Sequence, residues 1–167
     1  MVEELKKLVK DLEVAKEFKS FKKDNPKSYL ASCVVTVKGK TSNEWQINYY
    51  LPEKDKMTTF VMKKPLKVIN EQDIFQKEKK EVKELEFKDI KINMKKALEL
   101  LESFRKKKYQ AEFPGETIVV LQVLEECPVW NLTMLTTTLK VLNVKMSAVD
   151  GEVLSDQIES FLQHRAG

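Results

Sequence analysis

The chain shows the same order of patterns twice: an amphipathic helix, then three β-like runs, with one tryptophan near the start of each middle run. The first copy has a helical pattern at 3–22 and runs at 29–37, 45–51 and 57–62. The second has a helical pattern at 93–108 and runs at 117–124, 130–134 and 142–148. A helix with one apolar stripe packs on the apolar face of a sheet. The sequence therefore predicts an α+β fold of two helix-plus-antiparallel-sheet units, with the helices on one face of the sheet.

The limits of these elements follow from local signals. Asp24-Asn25-Pro26 ends the first helical pattern, because proline disfavours a helical residue before it. Asn93 is a suitable N-cap for the second helix. In the middle runs, apolar and polar residues alternate, which is typical of a half-buried antiparallel strand. The run at 117–124 is almost continuously apolar, and this predicts a central strand covered on both faces.

Placing Trp45 on Trp130 also places Ile47 on Leu132 and, with a hairpin one residue shorter, Phe60 on Val144. We interpret this correspondence as an internal duplication. It predicts a first unit at 1–64, a charged connector at 65–91 and a second unit at 92–167. An extended arm, or an added edge strand near 82–87, is expected in the connector, because a long structureless loop is uncommon in a compact domain. The second unit is expected to end in a short helix at 155–163.

The second half also resembles a PepSY-like domain, over about residues 90–154. The resemblance rests on a closing strand and glycine turn in which the matching residues are Val144, Lys145, Met146, Ala148, Gly151, Glu152 and Val153. Ser147 stands where the family usually has aspartate, and the first half lacks this closing signature. The resemblance implies a cystatin-like arrangement, in which a helix packs across a curved antiparallel sheet. Family members include inhibitory pro-regions of secreted peptidases, and we carry over the fold but not the inhibition.

Composition narrows the classes of function. The net charge of +4 comes from 30 basic and 26 acidic residues, which indicates a mixed surface and argues against nucleic acid as the main partner. No apolar run approaches the roughly 20 residues that span a bilayer, and the start of the chain shows no export signal. We therefore expect a cytoplasmic protein with Cys33 and Cys127 reduced.

No catalytic constellation is visible, so we expect a protein that is not an enzyme and holds no cofactor or metal. His164 is the one histidine and lies near the end of the chain, where residues are usually mobile. Zinc sites usually need four Cys or His ligands at short spacing. Glu125 and Glu126 would point to opposite faces of a strand and would not share a pocket.

Aromatic residues are the main candidates for a binding site. They could line an apolar cavity between helix and sheet, or they could be ordinary core: Trp45, Tyr49, Tyr50, Phe60 and Trp130. Tyr50 lies on the polar face of its strand and could mark a surface for a partner. The hypothesis is a non-catalytic module that binds a protein partner or a small apolar ligand.

A basic cluster supports the alternative of a nucleic-acid-associated protein. It consists of Arg105, Lys106, Lys107 and Lys108, followed by an aromatic residue. The same charges also suit the last turn of a helix, where the helix dipole favours cations. A third alternative is an enzyme whose site is not visible in the sequence. An unpaired edge strand would also allow a homodimer.

Overall fold

The structure is a computed structural model, which describes residues 2–74 and 80–161. Three helices of this part are α1 (Val2–Glu13), α2 (Lys16–Asp24) and α3 (Met94–Lys108). The strands are β1 (Tyr29–Lys38), β2 (Thr41–Ser42), β3 (Gln46–Leu51), β4 (Lys56–Val61), β5 (Lys67–Gln72), β6 (Thr117–Leu124), β7 (Cys127–Leu135), β8 (Lys140–Ser147) and β9 (Val153–Ser160). The α+β class predicted from the sequence is confirmed.

All nine described strands form one antiparallel sheet in the order β5-β4-β3-β1-β6-β7-β8-β9, with β2 paired to β1. The β1–β6 pair lies at its centre, where Val34 pairs with Val120. From this pair outward, each side runs through three further strands joined in sequence order. The two halves therefore have the same order of elements along the chain. In each half a helical segment precedes the central strand, and a three-strand meander leads from that strand to the edge of the sheet.

The helical segment before β1 is broken, where the sequence predicted one helix at 3–22. Ala15 has extended backbone angles of φ −69° and ψ 143° and begins α2 without a side-chain cap. A twisted sheet turns away beneath a long straight helix. The break lets α1 bury Leu5, Val9 and Leu12 while α2 separately buries Phe18 and Phe21.

One face of the sheet is covered by the helices and forms the core. The side chains there that are at most 2% exposed include Cys33, Val35, Ile47, Phe60, Val119, Leu121, Trp130, Leu132, Leu142 and Val144. The opposite face, here called the open face, carries the alternate residues. On β6 the open face includes Ile118, which is 44% exposed, so the prediction that this strand is covered on both faces is wrong. The strand is central in the sheet, and burial on the covered face accounts for Val119 and Leu121 but not for Ile118.

A β-bulge in β1 changes the predicted facing of its first residues. The register shifts between Leu30 and Ser32, so that Leu30 joins the covered face and Tyr29 the open face. Strict alternation along the predicted run at 29–37 places Tyr29 on the same face as Ala31 and Cys33. One extra residue at a bulge reverses the alternation on one side of it.

Two predicted elements of the second half and the connector are wrong. The helix expected at 155–163 is strand β9 up to Ser160, paired along β8 with Ile158 opposite Leu142; residues 162 and 163 lie outside the described residues. Without β9, the outer edge of β8 would leave its backbone N–H and C=O groups without partners, and pairing with β9 satisfies them. Of the two alternatives for the connector near 82–87, an extended arm or an edge strand, the edge strand is wrong: this stretch is irregular chain, in which the Leu85 N–H donates to the Leu30 carbonyl at 2.8 Å. Among the described residues, the strand at the edge of the sheet in the first half is β5, which lies within the predicted connector.

Candidate functional site, a cleft between two tryptophans

Trp130 lies in β7 on the covered face and is 2% exposed. Its indole N–H donates to the carbonyl oxygen of Ile92, just before α3, at 2.8 Å. A buried indole needs such a partner. The bond fixes the ring orientation relative to the start of α3.

Trp45 immediately precedes β3 and is half-buried. Its carbonyl oxygen accepts from the Met62 N–H at 2.8 Å, so its backbone is tied to the residue after β4. Since Gln46 begins the open-face alternation of β3, Trp45 points to the covered face. Its ring packs at the edge of the core.

The two tryptophans lie on the walls of the same cleft, which has a volume of about 290 Å³. The remaining wall comes from the first turns of α1, the first turn of α3 and strand β6: Val2, Glu4, Leu5, Leu8, Met94, Lys95 and Leu121. Apolar side chains dominate this set, and Glu4 and Lys95 contribute one charge of each sign. We call this site the tryptophan cleft.

Tyr49 and Phe60, two other predicted site residues, belong to the core beside α2. Both rings contact Phe18 and Phe21, with ring-centre distances of 4.9–6.0 Å. Burial raises the pKa of the Tyr49 hydroxyl. These two side chains do not line the tryptophan cleft.

Tyr50 lies on the open face, as its position in the alternation predicted. Its hydroxyl donates to Asp55 at 2.6 Å, and its ring lies 5.5 Å from that of Tyr29. The hydrogen bond to the Asp55 carboxylate raises the pKa of Tyr50 to about 12. Tyr50 is therefore held in a local pair and is far from the covered face.

The four residues of the basic cluster at the end of α3 differ in burial and in ion pairing. Arg105 is 5% exposed and bonds the Glu102 carboxylate at 2.6 and 2.9 Å and also the Glu112 carbonyl oxygen. Lys108 pairs with Asp156 at 2.8 Å, and Lys106 lies 4.0 Å from Glu102. Lys107 is exposed.

The described residues, 2–74 and 80–161, bring few potential catalytic or metal-binding groups together. Within these ranges no group of three or more His, Cys, Asp or Glu side chains converges on a point that could hold a metal ion. Cys33 is buried, and this burial raises the pKa of its thiol. His164 lies outside the described residues. Glu125 and Glu126 form the tight β6–β7 turn, with positive φ of 48° and 70°.

Sequence reasoning found the two tryptophans but missed the helical part of the cleft. In the sequence, Leu5 and Leu8 belong to the apolar stripe of the first helical pattern and Met94 to that of the second, so they look like ordinary helix-packing residues. No pattern shows that the first turns of two helices, far apart in sequence, lie against the same strands. That information lies in the β1–β6 pairing.

No family model and no curated protein matches the chain. Its structure is similar to the crystal structure of a "putative lipoprotein" from Clostridium difficile 630, with a TM-score of 0.52 and 12% sequence identity. The match covers 86% of this chain and 90% of that one. At this identity, the similarity concerns the fold. Among the described helices, none combines the length and the apolar character needed to cross a membrane.

Proposed function

We propose that the protein is a non-catalytic binding module that takes a small apolar ligand into the tryptophan cleft. The observation that carries the proposal is that the chain's two tryptophans, one in each half, wall the same apolar cleft. Tryptophan supplies a large apolar contact area with few rotatable bonds. Ligand sites typically combine such a lining with few polar groups.

The size of the cleft indicates the size of the ligand. Its volume of about 290 Å³ lies near the lower end of ordinary ligand pockets, which begin at roughly 300 Å³. An engineered apolar cavity of about 150 Å³ accepts benzene. The tryptophan cleft therefore suits a two-ring aromatic molecule or a medium-length alkyl chain.

Of the alternatives, nucleic-acid association has less support than ligand binding. Arg105 is buried and paired with Glu102, and Lys108 is exposed but paired with Asp156. Lys106 lies 4.0 Å from Glu102, so much of the positive charge of the cluster is offset by neighbouring carboxylates. Loss of polyanion-column retention on Lys106→Glu and Lys107→Glu would favour that alternative. No observation on the described residues favours the third alternative, an enzyme.

The proposal includes a duplicated, PepSY-like architecture of two cystatin-like units. Its support is the mirrored strand order and the register: Ile47 pairs with Phe60 as Leu132 pairs with Val144. The β1–β6 pairs fit the same correspondence, in which Cys33 matches Val119 and Val35 matches Leu121. Exchanging the two halves then converts the pair Cys33–Leu121 into the pair Val119–Val35, which is also present. An experimental structure in which the strands of 29–72 and 117–160 do not superpose in order would overturn the duplication.

The cytoplasmic location and the edge-strand homodimer remain predictions. The structurally similar Clostridium protein carries a lipoprotein name, but a fold match at 12% identity does not transfer a location. The edges open to a second copy are those of β5 and β9. Cell fractionation tests the location, and sedimentation velocity tests the dimer.

The ligand proposal is tested by calorimetric titration with 1-octanol. We expect saturable binding with a negative heat-capacity change, the sign of apolar burial. Leu8→Phe adds volume inside the cleft and should weaken binding at least tenfold. Val14→Phe introduces the same ring just after α1, where the side chain is 70% exposed, and should leave binding unchanged. Absence of saturable binding, or equal binding by both variants, contradicts the proposal.

A further inference from the structure

The open face of the sheet holds a second and larger cleft, with a volume of about 900 Å³. Its floor comes from strands β1 and β3–β8, and its wall from residues 73–74 and 80–83 of the connector. Five carboxamide side chains line the described part of this cleft: Gln46, Asn48, Gln72, Gln122 and Asn131. We call it the amide cleft.

Hydrogen bonds across the strands hold part of this floor in place. Asn48 Nδ2 donates to Ser32 Oγ at 2.9 Å, and Thr59 Oγ1 donates to Asn48 Oδ1 at 2.6 Å. Thr59 Oγ1 also lies 3.2 Å from Gln72 Oε1. On β7, Asn131 Oδ1 accepts from Asn143 Nδ2 at 2.7 Å. These bonds fix the directions of the carboxamides before any ligand arrives.

Two carboxamides in the cleft are left without such bonds. Within the described residues, the side chains of Gln46 and Gln122 make no hydrogen bond to protein and are half-buried. A carboxamide offers two donors and one acceptor oxygen with two lone pairs. These groups are therefore available to a ligand that supplies both donors and acceptors.

The walls add apolar contacts and balanced charge. Met57, Val82, Val123 and Leu124 supply apolar surface. Lys83 is paired with Glu81 at 3.1 Å and with Glu126 at 2.8 Å. The charged side chains of the described lining are three acidic and three basic: Asp73, Glu81, Glu125, Lys80, Lys83 and Lys145. This balance does not favour a polyanion, which needs an excess of cations, and a lipid would leave the carboxamides unsatisfied.

We propose that the amide cleft binds an extended segment of polypeptide. A peptide group presents one donor and one acceptor, which complement a side-chain carboxamide, and its side chains can occupy the apolar walls. A segment crossing from β4 through β3 and β1 to β6 spans three strand spacings, about 14 Å. At about 3.4 Å per residue, this corresponds to roughly four residues. The amide cleft is a separate site on the face opposite the tryptophan cleft and does not depend on ligand binding there.

The test begins with random heptapeptides displayed on phage and selected on the whole protein. Affinity of an enriched peptide is then measured by fluorescence polarisation. Gln46→Met with Gln122→Met keeps the size of both side chains and removes their hydrogen bonds. Affinity should fall about tenfold or more, the value of about two neutral hydrogen bonds.

Two controls keep the result specific. Gln157→Met makes the same change on the open face outside the cleft, at an exposed position, and should leave affinity unchanged. Leu8→Phe, in the tryptophan cleft, should also leave it unchanged. If the double variant does not fold, the single substitutions are measured separately, each with an expected loss of about threefold.

The proposal is overturned by any of three outcomes. Selection enriches no peptide; enriched peptides bind the glutamine variants as well as the parent protein; or binding is lost on Leu8→Phe and kept on the glutamine substitutions. The last outcome would assign peptide binding to the tryptophan cleft.

Discussion

The two faces of the same sheet carry different kinds of side chain. On the covered face, Phe60 and Leu132 are fully buried by helices and neighbouring strands. On the open face, the next residues along the same strands, Thr59 and Thr133, join hydrogen-bonded polar networks. The difference indicates that folding free energy comes mainly from the covered face. We therefore expect substitutions at the partly exposed positions of the open face to affect stability less than substitutions on the covered face, which leaves the open face available for binding.

The sharpest test of this comparison uses two neighbouring residues of β7. Leu132→Ala should lower the free energy of unfolding by about 2–5 kcal/mol, because it removes buried methyl groups and leaves a cavity. Thr133→Ala should lower it by about 1 kcal/mol or less, because it removes one partly exposed hydrogen bond from Asn143. Urea unfolding monitored by circular dichroism gives both values. Equal losses would contradict the assignment of the faces.

The tryptophans provide a second comparison, within the covered face. Trp130→Phe should destabilise the protein by about 2–3 kcal/mol, since it leaves the partly buried Ile92 carbonyl without its donor and reduces packed volume around a ring that is 2% exposed. Trp45 is half-buried, and Trp45→Phe should cost about 1 kcal/mol or less. Thermal unfolding of both variants measures the difference. A larger loss for Trp45→Phe would mean that the described burial of the two rings is wrong.

Buried charge next to the covered face gives a smaller, pH-dependent effect. Hydrogen bonds from Thr138 and Lys140 hold the pKa of the Glu112 carboxyl below its usual value. A lowered pKa in the folded state favours the ionised form there. The resulting stability is present above the unfolded pKa of about 4.3 and is lost as the pH falls through the folded pKa.

We therefore expect Glu112→Gln to cost about 1–2 kcal/mol at pH 7, with the difference from the parent shrinking below about pH 4. Denaturant unfolding between pH 3 and pH 7 follows this change. Glu99→Gln, at an exposed position of α3, serves as the control. A difference between Glu112→Gln and the parent that stays constant over this range would show that the Glu112 charge does not contribute.

The smallest predicted effect concerns the β6–β7 turn at the rim of the amide cleft. Glu125 and Glu126 both have positive φ, a conformation that asparagine and glycine adopt at lower cost. Glu125→Asn with Glu126→Gly should raise the free energy of unfolding, and with it the melting temperature. The expected gain is about 1 kcal/mol, reduced by the small contribution of the lost ion pair between Glu126 and Lys83. Glu44→Asn, at an exposed position outside the turn, should have no effect. Destabilisation by the double change would contradict the turn geometry.

Local patterns predicted much of this fold because alternation and helical stripes report burial directly. They placed Asn93 as a cap, where its side chain accepts from the Lys96 N–H at 2.8 Å, and they placed Trp45 and Trp130 on one face. They failed where pairing decides the structure. The residues of β9 have an apolar spacing compatible with a helix, and only the free edge of β8 makes them a strand. The bulge in β1 is likewise a property of the paired strands.

The candidate sites were predicted less completely than the fold. Trp45 and Trp130 could be identified from their matching positions, but their shared cleft depends on the β1–β6 contact between distant segments. Tyr49 and Phe60 carried the same aromatic signal and are core residues. The carboxamides of the open face looked like ordinary solvent-facing residues, because a sequence does not show which of them line a concave surface.

The central claim is that Trp45 and Trp130 line the same ligand-binding site, the tryptophan cleft. It is tested most directly by quenching with bromobenzene in two single-tryptophan proteins, Trp45→Phe and Trp130→Phe. Heavy-atom quenching needs close contact, so each remaining indole reports occupancy of its own surroundings. We expect saturable quenching in both proteins, of similar amplitude and at similar bromobenzene concentrations. Saturable quenching in just one protein, or a linear concentration dependence in both, would contradict the claim.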